Sequence, residues 1–158
     1  MDDTSLSADV VGTTATTTFT VERAQTTTVF GRQDTPPGRP AATDSTPAES
    51  VHVLGTAPLL SRVEFTGRES LAGEIPLGTG LVGKRATVSH VGAATVGTQV
   101  RVRTEVVAVD GADVTYDGRA QTVAEGRPVG ETEVVLRLVD RDRYRRAVDD
   151  GSGAAGRE

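Results

Sequence analysis

Three alternating stretches, 98–109, 112–124 and 128–140, constrain this chain more than anything else in it. In "TQVRVRTEVVAV" (98–109), Val100, Val102, Thr104, Val106 and Ala108 fall on one side and Arg101, Arg103 and Glu105 on the other. That is the period-2 pattern of a strand with one buried face. Residues 112–124 place Val114, Tyr116, Gly118, Ala120 and Thr122 on one face, and residues 128–140 place Val134, Leu136 and Leu138 in phase. "DG" at 110–111 and "EGR" at 125–127 supply turn residues between them. Long strands joined by tight turns make an antiparallel meander, and its apolar face has to be covered.

The cover is written upstream, in "GTAPLLSRVEFTGRESLAG" (55–73). Leu60, Val63, Gly67 and Leu71 recur at spacings of three and four, which predicts a helix over 56–72. Thr56 stands where an N-cap would stand. Pro58 fits the first turn, where its missing N–H has no intrahelical partner anyway. Gly73, Pro76 and Gly78 end the helix, and a strand is expected over 81–91. Upstream, the Thr/Val-rich residues 14–31 read as one or two strands. Residues 34–50 hold four prolines and no periodicity, so a loop or lid is expected there. Residues 1–13 and 149–158 are expected to be disordered tails outside the core, leaving 14–148 as a single domain. The order β(β)–loop–α–β–β–β–β is an α+β arrangement. A long helix wrapped by a strongly bent antiparallel sheet is the hot-dog fold.

Composition removes several kinds of function. The 158 residues carry a net charge of −5 with a single lysine, Lys84, and no basic cluster that would track nucleic acid. With no cysteine, disulfides, thiol nucleophiles and thiolate metal sites are excluded, and with two histidines no metal centre is expected. No apolar run reaches the roughly 18 residues of a membrane span, and no secretory leader is visible. A cytoplasmic protein with neither membrane nor nucleic-acid partner is expected. "GTGLVGK" (78–84) is not a phosphate-binding loop, because Arg85 stands where Ser or Thr is needed and a strand follows rather than a helix.

What remains is a constellation around the helix. Thr56 and Glu64 are eight residues apart. On a helix they differ by about 80° around the axis, with Leu60 between them on the same side, so both can flank one pocket. The helix N-terminus offers unpaired amides and a partial positive charge to an oxyanion. In the following strand His90 is in phase with Ala86 and Val88, on the face that meets the helix, where Glu64 and His90 could come together. Read singly, Thr56 is a cap, Glu64 a solvated helix residue and His90 a satisfied core or edge histidine.

Taken together, "GTAPLLSRVE", "VGKRATVSHVGAATVGTQVRV", "VVAVDGADVTY" and "VGETEVVLRLVDRDRY" resemble the fluoroacetyl-CoA thioesterase-like family of hot-dog proteins, over about residues 51–144. That family carries a threonine at the start of the central helix, a glutamate eight residues on and a histidine twenty-six residues beyond. Thr56, Glu64 and His90 stand at those intervals. Gly83, seven residues before His90, matches a family glycine close to the acyl pocket. The resemblance implies an acyl-CoA thioesterase acting on a small acyl group. Thr56, Glu64 and His90 would be its catalytic residues, and Gly83 and Leu60 would lie against substrate. Coenzyme A would be part of the substrate, with no other cofactor, and the protein would be a homodimer or higher homo-oligomer. A non-catalytic hot-dog protein that binds acyl-CoA is the alternative.

Overall fold

The computed structural model describes residues 4–34 and 41–151. In chain order the elements are β1 (Thr14–Thr20), β2 (Thr26–Thr28), β3 (His52–Leu54), α1 (Thr56–Leu71), β4 (Thr79–His90), β5 (Gln99–Asp110), β6 (Asp113–Thr122), β7 (Pro128–Asp140) and α2 (Arg141–Asp149). Five strands form one antiparallel sheet in the order β1-β5-β6-β7-β4, and β2 and β3 form a separate small ribbon. The expected meander is β5-β6-β7. Of the one or two strands expected over 14–31 there are two, β1 on the main sheet and β2 in the ribbon. Gly111, at φ 59°, turns β5 into β6 as a tight hairpin requires.

Helix α1 packs against all five strands. Its buried residues are Leu59, Val63, Thr66, Gly67 and Leu71. Leu59, Val63 and Leu71 are fully enclosed, each contributing roughly 1.5–3 kcal/mol through apolar burial. Leu60, expected on the core stripe, is only half-buried at its margin. Opposite, β6 buries Val114, Tyr116, Gly118, Ala120 and Thr122, the face its alternation predicts. In β5 the alternation holds through Val106, and then a bulge between Val106 and Ala108 breaks it. Ala108 is therefore exposed and Val109 turns to the core instead.

A second bulge lies in β4, between Gly83 and Arg85. Before it Leu81 and Gly83 pair with Leu138 and Leu136, and after it Ala86, Val88 and His90 pair with Val134, Thr132 and Gly130. Those partners all belong to the inward face of β7, and directly paired residues share a face. One inserted residue, Lys84, thus lets both Gly83 and His90 point toward the helix although they are seven positions apart.

The expectation that residues 1–13 stay out of the core is corrected. Leu6 and Val10 are buried in it, and Gly12 N donates to Val106 O. Residues 1–3 lie outside the described residues, as do 35–40 of the proline-rich loop and 152–158 of the C-terminal tail. The rest of the 34–50 loop contains a short 3-10 helix, Pro47–Glu49, with Glu49 and Thr46 closing its N-terminus.

Candidate active site

The first element of the site is the start of α1. The N-cap is Gly55, and it makes no side-chain cap. Thr56 is the first helical residue rather than the cap, which corrects the expectation from sequence and frees its hydroxyl. Gly55 fits because its backbone is tightly approached: a Cβ there would stand 3.1 Å from Pro58 and 3.2 Å from Thr27. Thr56 Oγ1 lies 2.9 Å from His90 Nδ1. The other ring nitrogen, Nε2, is buried and has no hydrogen-bond partner among the described residues. A buried ring nitrogen left unpaired is costly, so Nε2 calls for a partner from beyond the described residues. Beside this pair are the amides of Thr56 and Ala57, which have no partner within the helix, and Pro58 contributes no N–H at all.

The second element is one face of α1 two turns further on. Glu64 Oε1 accepts from Arg68 Nε at 3.1 Å and Nη2 at 2.9 Å, while Arg68 Nη1 donates to Leu81 O of β4 at 2.8 Å. The side chains of Glu64 and Arg68 are 29% and 28% exposed, so the pair stands at the edge of the core, partly shielded from water. Gly83 lies beside it, and a Cβ there would come within 3.5 Å of Glu64 Oε1. The backbone carbonyl of Glu64 accepts from the Tyr116 hydroxyl at 2.9 Å. Burial, and then the Glu64 charge, push the Tyr116 phenol above its ordinary range, so it stays a neutral donor. The Tyr116 ring packs against Gly67, where a Cβ would overlap it.

The sequence-predicted residues therefore come together as two pairs, Thr56 with His90 and Glu64 with Gly83. Glu64 does not bond His90, as the strand phase suggested it could; its partner is Arg68. Along α1, Thr56 and Glu64 are about 12 Å apart on the axis. Along β4, Gly83 and His90 are separated by about 20 Å at ordinary strand rise. Leu60 lies between the two pairs on the helix. Sequence reasoning missed Arg68, although its place four residues after Glu64 is a local signal; Tyr116 carries no local signal and reaches Glu64 only because α1 packs on β6. Among the described residues no group of three His, Asp or Glu side chains is arranged to hold a metal, and no helix is long and apolar enough to cross a membrane.

One helix laid over a five-stranded antiparallel sheet is the hot-dog fold, and comparison with solved structures bears this out. The chain is similar to a hot-dog-like protein from Thermanaerovibrio acidaminovorans, with 22% identity, TM-score 0.71 and 93% and 94% of the two chains covered. It is similar to the fluoroacetyl-CoA thioesterase FlK, with 19% identity, TM-score 0.70 and coverage of 89% and 95%. It is also similar to a Thermus thermophilus protein described as a thioesterase superfamily member, with 18% identity, TM-score 0.68 and coverage of 90% and 95%. No curated protein sequence matches the chain. The profile of the fluoroacetyl-CoA-specific thioesterase family matches residues 39–142, and the chain belongs to that family. It is an acyl-CoA thioesterase, a thioester hydrolase.

Proposed function

We propose that Thr56, Glu64 and His90 are the catalytic groups of this thioesterase, that its substrate is a small acyl-CoA, and that each site is shared between two protomers of a homodimer. The observation that carries this reading is the Thr56–His90 bond at the helix N-terminus, on a strand whose outer edge is free. Among the described residues β4 pairs only with β7. An unpaired edge is a template for a second copy. Antiparallel pairing of two β4 edges about a twofold axis midway between Gly83 and His90 sets the Glu64–Gly83 pair of one protomer beside the Thr56–His90 pair of its partner. That arrangement unites the two halves that stand about 20 Å apart along a single strand.

The chemistry follows from these positions. The thioester carbonyl oxygen sits at the amides of the α1 N-terminus, which stabilise the negative charge that develops on it. Glu64 takes a proton from water as the water oxygen bonds to the carbonyl carbon. The C–S bond then breaks, and the proton passes to the departing coenzyme A sulfur, leaving the carboxylic acid. His90, held by Thr56, hydrogen-bonds the reacting groups through Nε2. Attack by Glu64 itself, through an acyl anhydride that water cleaves, uses the same residues. Gly83 leaves room beside the carboxylate for the acyl group, and Leu60 supplies an apolar wall.

The name of the family supports a two-carbon acyl group. A Streptococcus pneumoniae protein described as a hypothetical thioesterase and solved with coenzyme A, 11% identical with TM-score 0.57, supports coenzyme A as the carrier on this fold. No cofactor beyond the substrate is needed. The lack of cysteine fits a cytoplasmic setting.

The test is thiol release from acetyl-, propionyl-, isobutyryl- and benzoyl-CoA. Glu64→Gln and His90→Ala are each expected to lose about 100-fold or more in kcat. Equal rates for wild type and Glu64→Gln on every substrate would sink the assignment of the site. Mixing the two inactive variants, unfolding and refolding them together, is expected to restore about a quarter of wild-type activity, because half the dimers then carry one intact site. No recovery on mixing would place each site within a single chain.

A further inference from the structure

We infer that Arg68 is a positioning residue for the thioesterase reaction, fixing which oxygen of Glu64 is offered to the reacting group; this rests on Glu64 being the reacting carboxylate. Three contacts make the argument. Both bonds from the guanidinium to Glu64, from Nε and Nη2, end on the same oxygen, Oε1. The third, from Nη1 to Leu81 O, ties the guanidinium to β4 two residues before Gly83. The guanidinium is therefore held at both ends, by a helix carboxylate and by a strand carbonyl. Its planar fork makes such a two-sided grip possible, whereas an ammonium is a single point charge.

An ordinary surface pair at this spacing is worth little and is free to rotate. This one is different in consequence. Glu has three side-chain torsions, and a carboxylate left to itself samples many of them. With Oε1 held on Arg68, the side chain is restrained and Oε2 is the oxygen that remains to take a proton or attack carbon. Tyr116 holds the backbone of the same residue through its carbonyl. The side chain of Glu64 is thus held by Arg68 of the next helix turn, itself tied to β4, and its main chain by Tyr116 of β6, the pre-organisation a reacting group needs.

The effect expected is on kcat rather than on substrate binding. Arg68→Met and Arg68→Lys would be assayed with acetyl-CoA beside wild type and Glu64→Gln, with melting followed on each. Arg68→Met is expected to lower kcat by about 10- to 100-fold with KM within about twofold, since interactions that align the reacting group act in the transition state. Arg68→Lys is expected to recover part of that loss, because its ammonium reaches Oε1 but cannot also hold Leu81 O. Added guanidinium ion at low millimolar concentration is expected to raise kcat of Arg68→Met and leave wild type unchanged. A kcat for Arg68→Met within about twofold of wild type overturns the inference, as does a raised KM at unchanged kcat, which would make Arg68 a substrate ligand. Should Arg68→Met fail to fold, wild-type kcat in Arg68→Lys overturns it equally. Glu64→Gln separates the two levels: if it keeps wild-type kcat, the site assignment itself falls and this inference with it. If it is inactive while Arg68→Met is normal, only the role of Arg68 falls.

Discussion

Strands β6 and β4 meet the same helix and are put to different uses. β6 lies inside the sheet between β5 and β7, and every second residue from Val114 to Thr122 is buried. β4 is two residues longer, yet it lies at the edge and buries none of its residues completely. The contrast is sharpest at glycine. Gly118 of β6 faces Val63, and Gly67 of α1 faces the Tyr116 ring; a Cβ at either would overlap its neighbour. In β4, the Cβ position of Gly83 meets, among the described residues, only Glu64 Oε1, at 3.5 Å. The first two glycines allow the helix to sit down on the sheet. The third leaves space beside a carboxylate. Packing is concentrated where a strand has neighbours on both sides, and the proposed chemistry lies where it does not.

That division can be tested by filling each space. Gly67→Ala puts a methyl against a rigid, fully buried ring. The cost expected is about 2–3 kcal/mol from overpacking, more than the ~1 kcal/mol that alanine gains in a helix, and is read as a fall in Tm or denaturation midpoint. A Tm at or above wild type would show that helix and β6 are less tightly apposed than this comparison requires. Tyr116→Phe leaves the ring and removes only the hydroxyl on Glu64 O. It is expected to cost about 1 kcal/mol by denaturant titration, with a loss in kcat that exceeds the loss in stability, because Glu64 sits on that carbonyl. Equal kcat in the two proteins would confine Tyr116 to packing. Gly83→Ala is expected to have the smallest effect on stability, within about 0.5 kcal/mol. In kinetics it should discriminate: kcat/KM should fall about 10-fold more for isobutyryl-CoA than for acetyl-CoA. A uniform fall, or a large loss of stability, would remove the contrast between Gly83 and the two packing glycines.

Much of this could be read without coordinates. The alternation of β5, β6 and β7 is set by which residues can face an apolar layer, and the helix by its spacings of three and four, so both survive in the linear order. The Arg68–Glu64 contact is local and lies four residues apart. Other features were not local. Val10 joins the core from a short 3-10 helix and Leu6 from the irregular chain just before it; neither stretch has a periodicity of its own, so it looks like a tail. Thr56 resembles a cap because threonine caps helices, but the cap is Gly55, one residue earlier, where Thr27 and Pro58 approach the backbone closely.

By itself the sequence determined the elements, their order, and a threonine, a glutamate and a histidine at telling intervals, because propensity and periodicity act along the chain. It could not determine which of those residues would meet. Gly83 and His90 are an odd number apart, so on a regular strand they would face opposite sides of the sheet. The bulge at Lys84 turns both toward α1, and a bulge is set by how two strands register against each other. The same registration leaves Glu64 beside Gly83 and Thr56 on His90 as two pairs at a distance, on a strand that among the described residues pairs on one side only. Only the tertiary structure decided that, since it depends on contacts between residues the chain itself keeps far apart.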